Sequence, residues 1–232
     1  MNVVITGASR GIGRAIAEAF AVEGANLILC SKDEKKLLQT VREMKSSFPD
    51  IDIVAKAFDL SIKKEAISFG NWCIEQATPD VLINNAGNFL PGSIYNEDDG
   101  VLEAMVETNL YSAYHVTRSV VTKMIESKRG HIFNICSIAA LQAYNNGGSY
   151  SISKYALMGF SKNLREELKP FNIKVTSVYP GAVLTDSWGD YNNSNKRIME
   201  ANDVAKMIVV AAKLSPAAVA EDIVLRPQLG DL

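Results

Sequence analysis

The chain moves at once from an apolar run, Val3-Val4-Ile5, through Thr6-Gly7-Ala8-Ser9-Arg10-Gly11-Ile12-Gly13 into a segment whose apolar residues Ile12, Ile16, Ala19 and Phe20 recur at helical spacing. A strand, a glycine-rich turn and an amphipathic helix in that order form a βα unit. Glycine lets the backbone turn tightly and approach a ligand. The first N–H groups of the helix and its positive dipole end favour an anion such as a pyrophosphate. Gly7, Gly11, Gly13 and the intervening Ser9, Arg10 and Ile12 are therefore candidate cofactor contacts. The spacing is Gly-x3-Gly-x-Gly, not the G-x-G-x-x-G of the general dinucleotide fingerprint, and alone it is equally a plain βα turn.

The same alternation continues along the chain. Seven short runs read as strands: Val3 to Ile5, Asn26 to Cys30, Asp52 to Ala57, Val81 to Asn84, His131 to Cys136, Lys174 to Val178 and Ile223 to Leu225. Helical patterns separate them, and Gly24 supplies a stop for the first. This predicts an α/β protein with one doubly wound, seven-stranded parallel sheet and helices on both faces, a Rossmann fold. At 232 residues, with no repeat or linker, the whole chain 1–232 reads as a single domain. The polar stretch from Asp186 to Lys196, containing Trp188 and Tyr191, stands apart as an expected lid over about residues 186–200.

Composition narrows the function. Apolar residues make up 47% and charged residues 22%, which excludes disorder and a disulfide-stapled miniprotein. A net charge of -2 offers no global field for nucleic acid or an anionic membrane, and neither partner is expected. No run approaches a membrane span, and the first residues lack a leader pattern. Cys30, Cys73 and Cys136 show no paired spacing, and only two histidines are present, so no metal site is expected. These features together predict a cytoplasmic protein.

In a dinucleotide fold the end of the second strand separates NAD from NADP, because an acid there binds the ribose 2′-OH and repels a 2′-phosphate. Here it reads Cys30-Ser31-Lys32. Ser31 is neutral, Lys32 is cationic, and Arg10 can meet a phosphate with a planar guanidinium. NADP(H) is the expected cofactor. Asp33, the nearest acid, reads better as the N-cap of a helix beginning at Glu34.

Tyr150 and Lys154 lie four apart in a helical segment running from Ser149 to Lys169, and so share a face. A nearby ammonium favours the phenolate, which brings a tyrosine closer to useful acid–base chemistry. The pair alone is common on solvated helices. Ser137 follows the fifth strand at the carboxyl edge, where open α/β sheets bind ligands, and its hydroxyl can stabilise charge on a carbonyl oxygen. It is also a good turn residue or helix cap.

At this point the chain resembles the short-chain dehydrogenase/reductase family over nearly its whole length. Thr6 to Gly13 matches the family's TGxxxGIG turn, Asn84-Asn85-Ala86-Gly87 its NNAG segment, Ser137 its active-site serine and Tyr150 with Lys154 its YxxxK pair. Pro180-Gly181, followed by Val183 and Thr185, matches its PG motif, and Asn109 in Thr108-Asn109-Leu110 matches the asparagine of its tetrad. The resemblance implies that Tyr150 exchanges a proton with the substrate oxygen, which Ser137 orients. Lys154 would lower the tyrosine pKa and bind the nicotinamide ribose, and Asn109 would hold a water in a proton relay. Asp59 with Leu60 would contact the adenine, with Asn84, Ala86 and Gly87 lining the adenosine side. Otherwise Asp59 would be a helix cap and Asn84-Asn85 a polar strand exit.

The expected activity is NADPH-dependent reduction of a ketone or aldehyde to an alcohol. The substrate surface would include Phe89, Ser137, Ile138, Ala139, Tyr144 and the loop around Trp188, apolar with aromatic walls. A 3-oxoacyl-[acyl-carrier-protein] reductase is the first alternative, with Lys128 and Arg129 as a basic dock for the carrier. Its subgroup's TG…GG ending is missing from Glu221 to Leu232, which leaves the carrier possible but not favoured. A sepiapterin-reductase-like pterin ketone reductase and a non-catalytic NADP-binding regulator are the others. The resemblance also implies a homodimer or homotetramer through faces holding Val101, Met105, Tyr111, Val116 and Val120, and Ala156, Phe160 and Leu164.

Overall fold

A computed structural model describes residues 1–231. Its strands are β1 (Asn2–Thr6), β2 (Asn26–Ser31), β3 (Ile53–Ala57), β4 (Val81–Asn84), β5 (Gly130–Ile135), β6 (Ile173–Pro180), β7 (Val183–Leu184), β8 (Met199–Glu200) and β9 (Asp222–Leu225). The helices are α1 (Gly11–Val22), α2 (Glu34–Ser47), α3 (Lys63–Gln76), α4 (Val101–Val106), α5 (Ser112–Ser127), α6 (Gly148–Leu168) and α7 (Ala201–Ala212). Seven strands form one parallel sheet in the order β3-β2-β1-β4-β5-β6-β9. The fold class and all seven expected strands are present, with ends shifted by one or two residues. All described residues belong to one domain, and none of their helices is long and apolar enough to cross a membrane.

Strands buried on both faces read as continuous apolar runs, and their pleat divides the residues between two cores. Val3, Ile5, Leu27 and Leu29 face one side, where they pack with Ile16 and Phe20 of α1, Leu37 of α2 and Ile208 of α7. Val4, Ile28 and Leu82 face the other, against Phe69 of α3, Val116 and Val120 of α5 and Leu164 of α6. Each fully buried large side chain of this kind contributes about 1.5–3 kcal/mol. Of the residues on the expected subunit faces, Met105, Val116, Val120 and Leu164 are buried within the chain and Tyr111 is exposed, as are Tyr114, Ile152 and Tyr155 of the same helical segments.

Strand order reverses direction between β1 and β4, which opens a crevice at their carboxyl ends. Two features not foreseen from the sequence shape its rim. Between α4 and α5 the helix widens into a π turn at Glu107–Tyr111, a distortion that recurs at functional sites. Further on, β7 pairs with β8 as a separate two-stranded sheet, so the expected lid emerges from a closed base.

Candidate active site

The glycine turn is built by close approach. Gly7 and Gly11 have φ of +65° and +54°, conformations that a side chain would strain. A Cβ on Gly13 would collide with the Gly7 carbonyl and the Asn85 amide. Asn85 donates from Nδ2 to the carbonyls of Thr6 and Gly7 at 3.0 and 3.1 Å. Thr6 Oγ1 in turn accepts from the N–H groups of Asn85 and Ala86, both at 2.9 Å. Asn85 is thus a site residue that sequence reasoning missed. Its only signal was its place in the doubled asparagine.

Helix α1 starts at Gly11 with no side-chain cap and no acid in its first turn. Its leading N–H groups therefore meet no competing carboxylate, and the turn fits a pyrophosphate. Thr185 packs over this turn, its Cγ2 standing 3.2 Å from where a Gly11 Cβ would be. Pro180 ends β6, Gly181 donates its N–H to Leu225 at 2.8 Å, and Val183 is buried in the core.

At the adenosine end, Ser9 Oγ and Ser31 Oγ share a hydrogen bond of 2.8 Å that joins the turn to the end of β2. Lys32 pairs with Asp59 at 2.6 Å, and Arg10 reaches Asp186 at 3.4 Å, with both basic side chains mostly exposed. Burial works to raise the Asp59 pKa, but Lys32 and hydrogen bonds from Ser61 outweigh it and hold the carboxyl below its ordinary value. Asp59 caps no helix, since α3 begins after Ile62. The Leu60 side chain lies in the core, leaving its backbone for any contact. Asp33 caps α2 by accepting the Lys36 N–H at 3.0 Å, as its position suggested.

Asn84 departs from expectation. Its side chain is buried inside the sheet and donates to Thr117 Oγ1 at 2.9 Å and to its register partner Asn134 at 2.8 Å. Asn134 continues the ladder to Ser161 at 2.7 Å. The Asn84 side-chain amide is thus engaged within the sheet, while Asn85, Ala86 and Gly87 follow it at the crevice beside the glycine turn.

The proton-transfer groups converge at the carboxyl ends of β4 and β5. Ser137 Oγ accepts the Ala139 N–H at 3.1 Å, capping a short 3-10 turn at Ile138–Ala140, and its hydroxyl is near enough to Tyr150 to lower the phenol's pKa. The cap reading of this serine is therefore met. Lys154 is buried, donates to the Ile135 carbonyl at 2.8 Å and lies 5.8 Å from the Tyr150 ring centre. Burial lowers its pKa to about 8. The expected lowering of Tyr150 by Lys154 is not the dominant effect in the protein alone. Burial pushes the phenol up to about 12, and the nearby Ser137 hydroxyl is what opposes it. A Cβ on Gly87 would stand 3.5 Å from Lys154 Nζ, so this glycine keeps the approach to the ammonium open.

Asn109 sits in the π turn and is buried. Its Oδ1 accepts the Asn88 N–H at 2.7 Å, while Nδ2 donates to the Asn88 carbonyl at 3.0 Å and to Ser153 Oγ at 2.9 Å. This amide ties the loop after β4 to α6. That loop carries Phe89, whose ring meets Tyr150 edge-on at 4.8 Å. Phe89 and Tyr144 leave exposed apolar surface beside the phenol, Leu90 and Leu141 add exposed apolar surface in the adjoining segments, and the Trp188 and Tyr191 rings lie tilted at 5.2 Å in the loop between β7 and β8. Lys128 and Arg129 are elsewhere. They precede β5 at its amino end, about 26–30 Å from Ser137 by strand rise, and Arg129 pairs with Asp80 at 3.1 Å.

Comparison with known proteins agrees with this geometry. A family model described as short chain dehydrogenase matches residues 1–196. A sepiapterin reductase of Chlorobaculum tepidum is 30% identical over 239 residues, covering 99% of this chain and 97% of its own. A metagenomic short-chain oxidoreductase solved in complex with NADP is 30% identical with a TM-score of 0.85, over 98% of this chain and 97% of that one. A variant of actinorhodin polyketide ketoreductase solved with NADPH is 26% identical with a TM-score of 0.88, over 100% and 97%.

Proposed function

From a chain that belongs to the short-chain dehydrogenase family and is an oxidoreductase, we propose an NADPH-dependent enzyme that reduces a ketone or aldehyde to an alcohol. The observation that carries this reading is the convergence of Ser137, Tyr150 and Lys154 beside a glycine turn open to a pyrophosphate. When bound, the reduced nicotinamide supplies the hydride. Gly7 to Gly13 hold the pyrophosphate, with Pro180, Gly181, Val183 and Thr185 lining the nicotinamide side. Ser31, Lys32 and Arg10 take the 2′-phosphate, and Asp59 and Leu60 the adenine. NADP complexes of the related structures support that cofactor.

The chain's own groups handle the oxygen. Ser137 donates to the substrate carbonyl and fixes its direction. Tyr150, protonated throughout the neutral range because burial holds its pKa high, gives its phenolic proton to that oxygen. Lys154 then stabilises the phenolate left behind, and the charge it carries grows in value inside a dry site. Asn109 acts through Asn88 by holding the wall over Tyr150.

The exposed apolar surface beside the phenol suits a carbonyl on an apolar or aromatic body, and the segment 186–200 serves as its lid. The distance of Lys128 and Arg129 from Ser137 disfavours an acyl-carrier substrate. Buried thiols at Cys30, Cys73 and Cys136 fit work in a reducing cytoplasm. A homodimer or homotetramer would use the exposed Tyr111, Tyr114, Ile152 and Tyr155, which light scattering checks. The deciding assay follows NADPH oxidation with aryl ketones, small diketones, pterin ketones and acetoacetyl thioesters. Turnover of a ketone in preference to the thioester supports the proposal, and NADPH binding without turnover on any of them overturns it in favour of a regulator.

A further inference from the structure

Helix α6 carries Tyr150 and Lys154 but has no cap of its own. It follows Gly147 and opens with Gly148, neither of which offers a side chain. A carboxylate from 52 residues earlier stands there instead. Glu97 Oε1 accepts the Ser149 N–H at 3.0 Å, and Oε2 accepts the Ser149 hydroxyl. Ser149 is buried, directly before Tyr150.

The surrounding chain is shaped to admit that carboxylate. A Cβ on Gly148, whose φ is +38°, would collide with Glu97 and with the Gly92 carbonyl. A Cβ on Gly92 would stand 2.9 Å from Glu97 Cγ. Beside this contact Gly92 donates its N–H to the Asn146 carbonyl at 3.1 Å, and Ser93 Oγ donates to Asn146 Oδ1 at 2.7 Å. The other end of the same segment is held by Asn109 through Asn88. Residues 88–97 are thus fastened at both ends, and between the fastenings Phe89 meets the Tyr150 ring.

We propose that Glu97 is a positioning residue which, by closing the first turn of α6 from the loop 88–97, fixes Phe89 relative to Tyr150 and so sets which carbonyl substrates reach the phenol. The two acceptor oxygens match the two donors of Ser149, and their negative charge suits the positive end of the helix. Releasing them frees the loop while leaving the glycine turn and the sheet untouched. The aromatic wall then loses its place, so a flat, bulky ketone suffers more than a small one. This inference rests on the reductase reading above.

The test uses the full chain with NADPH, an aryl methyl ketone and 2,3-butanedione. In Glu97→Ala the ratio of kcat/KM for the aryl ketone to that for the diketone falls by about fivefold or more. The NADPH Kd stays within about twofold, because the glycine turn and the ends of β2 and β3, which hold the pyrophosphate and adenosine, lie on other elements. Glu97→Gln keeps one acceptor and the side-chain length and restores most of the ratio, whereas Ser149→Ala, which removes one of the two donors, lies between. Hydrogen–deuterium exchange rises about tenfold or more in peptides spanning 88–97 and 148–151 of Glu97→Ala, with the sheet strands unchanged.

An unchanged ratio in a folded Glu97→Ala overturns the proposal, as does a parallel loss of both substrates and NADPH, which marks a purely structural cap. Should Glu97→Ala not fold, the graded response of Glu97→Gln and Ser149→Ala decides, and a flat response overturns the idea. If the unaltered protein reduces neither ketone, the reductase reading falls, and exchange in the same peptides still judges the clamp.

Discussion

Lys154 gives one of its ammonium hydrogens to the Ile135 carbonyl at 2.8 Å while its Nζ lies 5.8 Å from the centre of the Tyr150 ring. The cation is anchored to the end of β5, and the phenol is anchored one helical turn away on the same face of α6. Burial acts on the two in opposite directions, lowering the lysine to about 8 and raising the tyrosine to about 12. In the protein alone, both groups are thereby driven toward their neutral forms.

Tyr150→Phe keeps the ring against Phe89 and removes the transferable proton. NADPH affinity stays within about twofold, whereas turnover falls about 10²- to 10⁴-fold. Fluorescence titration and steady-state rates measure the two quantities, and near-normal turnover would exclude the phenol as the acid.

The lysine carries a stability signature of its own. Its folded pKa of about 8 lies below the ordinary value of 10.5, so the unfolded chain binds more protons between those limits. Folding stability from this group therefore rises as pH increases from 8 toward 10.5, and its cost is fully present below 8. The raised tyrosine contributes only as pH passes its ordinary 10. In denaturant titrations of the cofactor-free protein at pH 8 and pH 10 that rise is superposed on the opposite effect of Cys30, Cys73 and Cys136, whose pKa values burial raises. Lys154→Met should flatten the lysine's rise, and an identical slope in both proteins would contradict the assignment.

Arg10 and Lys32 are engaged by Asp186 and Asp59 through exposed ion pairs, which are weak and readily exchanged for a phosphate. Arg10→Ala and Lys32→Ala should each lower kcat/KM with NADPH by about tenfold and leave that with NADH nearly unchanged. Equal losses with both cofactors would remove these residues from 2′-phosphate recognition.

Asn134→Ala tests the buried ladder. It strips a partner from Asn84 and from Ser161 at once, and the expected loss of stability is about 2–3 kcal/mol. NADPH affinity of the folded variant should be unchanged. A selective loss of affinity with normal stability would return Asn84 to the cofactor side.

The sheet was legible because parallel strands are buried on both faces and appear as short apolar runs between helical periods, as β1, β2 and β4 show. The glycine turn and the Tyr150–Lys154 pair could be located from their local spacing, and their joint meaning came from the family resemblance. What was not legible depends on partners distant in the chain. Asn84 bonds Asn134 because the two stand in register, and Asn109 bonds the backbone of a loop. The widened helical turn at Glu107–Tyr111 has no residue signature of its own, and the ladders of β7 and β8 span only two residues each. Met105 and Val116 shared a helical period with exposed neighbours, so periodicity could not separate core from subunit face.

The pairing of Val183 with Met199 and of Leu184 with Glu200 shuts the neck of the intervening chain. The chain between hangs from that neck as a pendant, tacked down by Asp186 on Arg10 and by Arg197 on the Gly230 and Asp231 carbonyls, and its two roots stay side by side. Lengthening such a pendant costs little, since the entropy of closure grows only with the logarithm of length. The intervening segment can therefore vary in length and make-up while the two short strands hold its roots together.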